Sequence, residues 1–548
     1  MDPTQPRTGE VDNQPPPFAP RDLWTHDVAL REALAREGAS VFADRVATYG
    51  ALAGGTLYDL SFDAHRDRPR LRTHDARGER LDRVEFHPHY HAVMETAIAH
   101  GVAGLSWMEA ATPGSHVARA ALSYLHYQAE PGSSCPLTMT HAGVPVLRRE
   151  PGLHEWASKA AAPHYDPREV PIQAKTGITL GMGMTEKQGG SDVRANTTTA
   201  RPVPATGDDP GEPYALAGHK WFMSAPMSDG FLVLAQAPGG LTCFLMPRRL
   251  ADGAKNAFAL VRLKDKLGDW SNASSEVEFH GARAWRVGEE GRGIATILEM
   301  VMLTRLDCML GSAGLMRMAL DQAIHHCSHR VAFGKRLIDQ PLMRNVLADL
   351  ALEAEAALAL SMRVARAVDA APRDPSEAAL ARIATAIGKY WICKRTPAFA
   401  SEALECIGGN GYVEESLLPR LYRQAPLNSI WEGSGNVQCL DVLRALSRDP
   451  GTGPALWQEL QCDGGGEPCA AALQALRAPL HDKIPIPEPA ARTFVESLAQ
   501  TLQASILLRA NNPLANHFVA TRLATPHAQN YGTLPLEVPL EQILTRAR

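Results

Sequence analysis

The sequence has no uninterrupted apolar run of about 18 residues, the length a helix needs to cross a bilayer, so no membrane span is expected. It has no excess of one charge. Its 55 basic and 60 acidic residues leave −5, which gives no global field for a polyanionic partner. Its nine cysteines are scattered, odd in number and without a C-x-x-C. That argues against a disulfide framework and a zinc site, and predicts reduced thiols in the cytoplasm. The first residues lack a basic stretch followed by an apolar one, so no secretory signal is expected. The polar, proline-containing segment 1–20 reads as a flexible leader.

What is present is organised in blocks. At 548 residues the chain exceeds one ordinary core. Helical apolar spacing at His91–His100 and Val117–His126 predicts an N-terminal helical domain over 21–180. Short apolar runs then alternate with Gly, Pro and Asp: Phe231–Gln236, Thr242–Met246, Phe258–Val261 and Ser275–Phe279. These predict a small antiparallel barrel or sheet, the middle β domain, over 181–290. Helical character returns over 291–448. Met343–Ala371 is rich in Ala, Leu, Glu and Arg and is closed by Pro372, as in a helical bundle. Loops at Asp449–Pro454 and Asp463–Gly466 set off a C-terminal helical domain, 449–548. The fold class is therefore α+β.

Several segments carry chemistry. Gly183–Val193 places Thr185, Gly189, Gly190 and Ser191 where main-chain N–H groups and hydroxyls can approach an anion; a polar turn is the ordinary alternative. It lacks the spacing and the βαβ setting of a dinucleotide-binding G-x-G-x-x-G. Trp221 and Phe222 offer a flat wall, with Ser224 at its edge. Arg330 offers a guanidinium suited to a pyrophosphate. Glycines interrupt the helical pattern at Gly408–Gly411 and again around Trp431-Glu432-Gly433. A carboxylate beside Trp and between glycines is a candidate general base; an exposed loop carboxylate is the alternative. His87, His89 and His91 form one cluster without further ligands, so no metal is expected.

Together these segments resemble the acyl-CoA dehydrogenase superfamily over about residues 90–446, and within it the AidB type. The strings GMGMTEKQGGSDV (181–193), GHKWF (218–222), RLKDKLG (262–268), NSIWEGSGN (428–436) and CLDVLR (439–444) carry the resemblance. It reaches back to CPLTMT (135–140).

The resemblance implies a non-covalently bound FAD. It places Met184, Thr185, Gly190, Ser191, Phe222, Ser224 and Trp431 near the flavin and pyrophosphate. Arg330 and Phe333 match R-x-x-F-G, which reaches FAD across a subunit interface. Gly408 and Gly409 fall near the ADP half, and Asn436 in the last cofactor-proximal stretch. Glu432 matches the family base. Some members carry that base on an earlier helix, where this chain has Thr304, which cannot serve. Pro341 and Phe222 depart from the usual Gln and Trp.

The implied reaction is α,β-dehydrogenation of an acyl thioester, with short branched acyl chains suggested by resemblance. The implied partners are an acyl-CoA, an electron-transfer flavoprotein and three further copies in a homotetramer. AidB-type members also bind double-stranded DNA, protecting it from alkylation, with weak dehydrogenase activity. Residues 451–548 hold seven basic and eight acidic residues, a net of −1, so composition gives no argument for phosphate neutralisation, and a basic patch on one face of the folded tail stays open.

Overall fold

The computed structural model describes residues 11–482, 484–524 and 530–548. It is built of a helical N-terminal part, a barrel, a helical bundle and a helical tail, an α+β architecture.

The barrel uses β3 (Leu180–Gly183), β4 (Thr199–Pro202), β5 (Pro213–Ser224), β6 (Gly230–Ala237), β7 (Gly240–Pro247), β8 (Phe258–Leu263) and β9 (Ser274–Val287), numbered after a hairpin of β1 (Arg70–His74) and β2 (Arg80–Glu85). The order β3-β6-β4-β5-β9-β7 is closed by a further β6–β7 pairing, and β8 adds to β9. Most pairs are antiparallel, as expected. The β3 and β4 pairings with β6 are parallel, a feature the apolar pattern did not predict.

Strand β6 shows why its sequence is apolar on both faces. Phe231, Val233 and Ala235 point into the barrel core, while Leu232 and Leu234 join the core shared with the helices. Successive side chains leave a strand on opposite faces, so a strand buried on both reads as a continuous apolar run. The β1–β2 hairpin lies inside the region expected to be helical. Its strands are rich in Arg and mostly exposed, so neither periodicity marked them.

The bundle is organised by three long helices, Gly293–His329, Pro341–Ala370 and Pro375–Ile407. The Gly293–His329 helix is buried nearly all round from Leu306 to Leu320, as expected of a central helix. Helices Ser115–Ala129 and Ser134–Arg148 pack against it and separate it from β3. Arg119 forms a buried ion pair with Asp307 of that helix, and Thr138 Oγ1 donates to the same carboxylate at 2.6 Å.

The β8–β9 loop ties barrel to bundle. Trp270 makes cation–π contacts with Arg68 and Arg423, at 3.6 and 4.1 Å from its ring centre, and the Asp269 N–H donates to Gln424 Oε1 at 2.7 Å.

Residues 1–10 of the expected leader lie outside the described residues. Residues 13–18 are laid against the bundle through Asn13, Pro16 and Phe18.

Candidate active site

Glu432 sits in the turn between the Leu418–Gln424 and Gly435–Arg448 helices. Its φ is +59°, and Gly433 follows at +96°. A non-glycine residue in the left-handed region is uncommon and costs energy unless its surroundings hold it. Here three side chains do so. Arg305 Nε donates to the Glu432 carbonyl at 3.0 Å, and Gln438 Nε2 donates to it at 3.1 Å and to the Gly433 carbonyl at 2.9 Å. Lys389 Nζ donates to the Gly433 carbonyl at 2.7 Å. Arg305 is itself anchored by Asp441 at 2.7 Å.

The carboxylate is directed inward by this backbone. Oε2 accepts a hydrogen bond from Thr304 Oγ1 at 2.8 Å, and Oε1 has no partner among the described residues. Burial raises the carboxyl above its ordinary range, opposed by the Thr304 hydroxyl and the positive charges of Lys389 and Arg305. Thr304, the position that cannot be the base, thus supports the group that can. Trp431 Nε1 donates to Asn428 Oδ1 at 2.9 Å, and Asn428 is fully buried.

The second candidate segment is the loop after β3. Its backbone is fixed by the Trp221 N–H, which donates to the Thr185 carbonyl at 2.8 Å. A Cβ on Gly190 would collide with Thr185 Oγ1, so only glycine lets this loop fold back on itself. Beneath it a fully buried pair, Lys220 and Glu186, meets at 2.7 Å. Glu186 also accepts from the Thr197 N–H at 2.7 Å and from Gln188 Nε2 at 2.8 Å. Burial pulls Lys220 down to about 8, while Lys220 and the other donors hold Glu186 at about 2 against the cost of burial, so both are charged at neutral pH.

Ser224, at the end of β5, lies beside Cys135. Behind Cys135, Tyr127 packs on Gly311 of the Gly293–His329 helix, one turn from Cys308 and two from Thr304. Phe222 is about half exposed, with the Lys264 ammonium 4.6 Å from its ring centre and 3.4 Å from that of Trp221.

The remaining expected residues lie elsewhere. Arg330 ends the Gly293–His329 helix, about 39 Å from Thr304 at 1.5 Å per residue. Phe333 is 99% exposed, and Gly408 and Gly409 have open space around them. These residues share one exposed end with Val331, Leu342 and Tyr412. Asn436 is exposed and accepts from Arg492 Nε of the tail at 2.8 Å. Met184 is half-buried beside the barrel and contributes its carbonyl to Asn196 Nδ2 at 2.9 Å.

The three histidines of the 87–91 cluster take separate partners. His87 caps the Pro88–Ala99 helix, His89 lies 3.1 Å from Asp63, and His91 bonds Tyr165. Among the described residues no group of His, Cys, Asp and Glu is arranged to hold a metal ion.

Sequence reasoning missed Lys389, Gln438, Glu186 and Cys135. Lys389 left a signal: it is the one charge in Ala386–Ile392, an otherwise apolar or aromatic helical run, and such a charge is buried and paired.

Three family models match the chain: the adaptive response protein AidB N-terminal domain over 13–167, the acyl-CoA dehydrogenase middle domain over 181–282, and the acyl-CoA dehydrogenase C-terminal domain over 291–447. The putative acyl-CoA dehydrogenase AidB of Escherichia coli is 49% identical over 448 residues, covering 81% of this chain and 82% of that one. The chain belongs to the acyl-CoA dehydrogenase family.

Acyl-CoA dehydrogenase family member 11 of Caenorhabditis elegans is 32% identical over 77% of this chain and 69% of its own. The structure of C. elegans ACDH-11 in complex with C11-CoA superposes with a TM-score of 0.85, at 26% identity, over 96% of this chain and 95% of that one. Membership makes this AidB-type chain an FAD-dependent oxidoreductase.

The residues present fit that cofactor. The glycine-tight loop at Thr185–Ser191 and the rings of Trp221 and Phe222 are of the chemistry a flavin needs, and Glu432 offers a carboxylate with one free oxygen. The open backbone at Gly408–Gly409 and Arg330 lie at the far end of the bundle from Glu432 and are not part of that site within one chain.

Proposed function

We propose that the protein oxidises an acyl thioester at its α,β-bond, with Glu432 as the base. One observation carries this reading: a half-buried carboxylate, held by left-handed backbone, with one oxygen bonded to Thr304 and the other free. FAD, when bound, supplies the acceptor for the β-hydride. Glu432 Oε1 takes the α-proton. Thr304 orients the carboxylate and Arg305, Gln438 and Lys389 fix its backbone, so that no reorganisation is needed as the proton moves. Met184, Thr185, Gly190, Ser191, Phe222, Ser224 and Trp431 form the wall for the flavin end. Anaerobic mixing of the yellow protein with short- and medium-chain acyl-CoAs tests this: flavin bleaching supports it, and no bleaching with any of them removes it.

The rate of that reduction should follow the ionisation of Glu432. Because burial raises its pKa, the rate should climb with pH through that raised value and then level off. In Thr304→Val the bond that favours the ionised carboxylate is lost, so the climb should move to higher pH. Stopped-flow reduction across pH checks both. A rate that falls with pH, or a profile unmoved by Thr304→Val, would exclude Glu432 as the titrating base.

The exposed end of the bundle supports self-association. Phe333, Leu342 and Tyr412 are 99%, 82% and 80% exposed, and Arg330 lies among them. A second copy seated here would cover the apolar rings and bring Arg330, Phe333, Gly408 and Gly409 to its neighbour's cofactor; two such pairs give the tetramer. Asn13 supports the same surface from within the chain. Its side chain bonds both backbone groups of Val331, at 2.8 and 2.7 Å, and its carbonyl accepts from Arg330 Nη1 at 2.6 Å. Asn13→Ala removes the side-chain bonds and should weaken FAD retention by roughly tenfold, the equivalent of one to two net hydrogen bonds, as read by ultrafiltration of the flavin. Retention equal to that of the parent protein would show that Asn13 does not position the Arg330 hairpin.

The duplex-binding reading receives less support. Four of the basic side chains of the tail are spent on carboxylates: Arg509 on Glu459, Arg522 on Asp349, Arg546 on Glu32 and Glu355, and Arg548 on Glu541. Lys483 lies outside the described residues. Paired cations neutralise few phosphates, and non-specific duplex affinity rests on that neutralisation.

A further inference from the structure

A cavity of about 330 Å³ lies between the β1–β2 hairpin, the Pro88–Ala99 helix and the start of β6, outside the region faced by Glu432. It touches the proposed flavin wall from behind. Pro136 and Ala225 line it, and each is the chain neighbour of a member of the Cys135–Ser224 contact.

Most of its charges are already spent. Glu169 is bound by Arg83 at 2.8 Å and by Arg249 at 2.8 Å, Asp229 by Lys175 at 2.5 Å, and Asp166 by Arg168 at 2.7 Å. His91 is held neutral by burial. The loosely paired charge that remains, Glu85 with Arg72 at 3.8 Å, is negative, so an anion entering this space would lose water without finding a free counter-charge.

Its polar groups are not all spent. Ser228 Oγ is buried and unpaired. The Tyr90 hydroxyl and His91 Nε2 have no hydrogen-bond partner among the described residues, although His91 Nδ1 shares a 2.8 Å bond with Tyr165. A buried polar group without a partner is costly, and native structures rarely leave one so.

Its walls are rings and sulfur. Phe86 stacks on Tyr90 at 4.2 Å and 12°, and His91 on Tyr165 at 6.0 Å and 28°. Met94 and Met227 complete the lining. Such walls favour another ring through edge and face contacts. An apolar cavity of about 150 Å³ accepts benzene, so this one accommodates a substituted single ring and is at the small end of ligand pockets.

We propose that this cavity is a binding site for an uncharged, single-ring aromatic molecule carrying a hydroxyl or carbonyl group, distinct from the acyl thioester site. The ring lies against the wall that the two pairs form where His91 meets Phe86 and Tyr90 edge to face, at 5.9 and 5.7 Å, and its polar substituent satisfies Ser228 and Tyr90.

The test is a calorimetric and ligand-observed NMR titration of the flavin-loaded protein with 4-methylphenol, against toluene and benzoate. Saturable binding of 4-methylphenol is expected, at least tenfold tighter than toluene or benzoate. Ser228→Ala and Tyr90→Phe, which leave the fold's apolar contacts in place, should each weaken it about three- to tenfold. Absence of saturable binding, or affinity for toluene or benzoate equal to that for 4-methylphenol, overturns the proposal. So does binding that neither variant changes. None of these readouts depends on acyl-CoA oxidation, so the site stands or falls separately from Glu432.

Discussion

Glu432→Gln is expected to slow acyl-CoA-dependent flavin reduction by about 10²–10⁴-fold, the usual contribution of a positioned base, with flavin content unchanged. The substitution is nearly isosteric. The backbone pins from Arg305, Gln438 and Lys389 are made to carbonyls and do not depend on the side chain. The amide retains an oxygen for Thr304. What is lost is the ability to accept the α-proton. Stopped-flow absorbance of the bound flavin reads the effect, and reduction by dithionite serves as the control that the flavin is still competent. A loss of less than threefold would mean that the proton leaves by another route. Loss of flavin from the variant would assign Glu432 a structural part instead.

Lys220→Met should produce the largest effect away from the reacting atoms. Lys220 and Glu186 are both fully inaccessible and meet at 2.7 Å. Removing the cation leaves a buried carboxylate with neutral donors only and strips the Leu234 carbonyl of a 2.7 Å bond. Breaking a buried pair in this way costs about 3–5 kcal/mol. Because Glu186 anchors the loop bearing Thr185, Gly190 and Ser191, flavin affinity should fall with stability. Urea unfolding and flavin titration measure the two. Adding Glu186→Gln to the variant should recover part of the stability, since no uncompensated charge then remains. A cost below about 1 kcal/mol, or no recovery in the double variant, would show that the pair does not hold the loop.

Helices and strands were legible where one periodicity dominated. Met343–Ala371 anticipated the Pro341–Ala370 helix, and Thr242–Met246 the centre of β7. The β1–β2 hairpin was not legible, because its buried side alternates few apolar residues, Leu71 and Val84 among them, with charged ones and leaves too short an apolar trace. Parallel pairing of β3 and β4 with β6 was equally hidden. Strand direction is set by the path of the intervening chain, which local composition does not record.

The sequence by itself determined the family, the order of its parts and the identity of one carboxylate between glycines. Those are properties of contiguous residues, and short-range spacing suffices to read them. Only the tertiary structure decided what surrounds that carboxylate. Thr304, Lys389 and Gln438 lie 128, 43 and 6 positions from Glu432 and meet at one turn because three helices cross there. It also decided that Arg330 and Gly408 stand at the far end of the bundle from Glu432. A helix of fixed rise holds two of its own residues apart as firmly as packing brings strangers together.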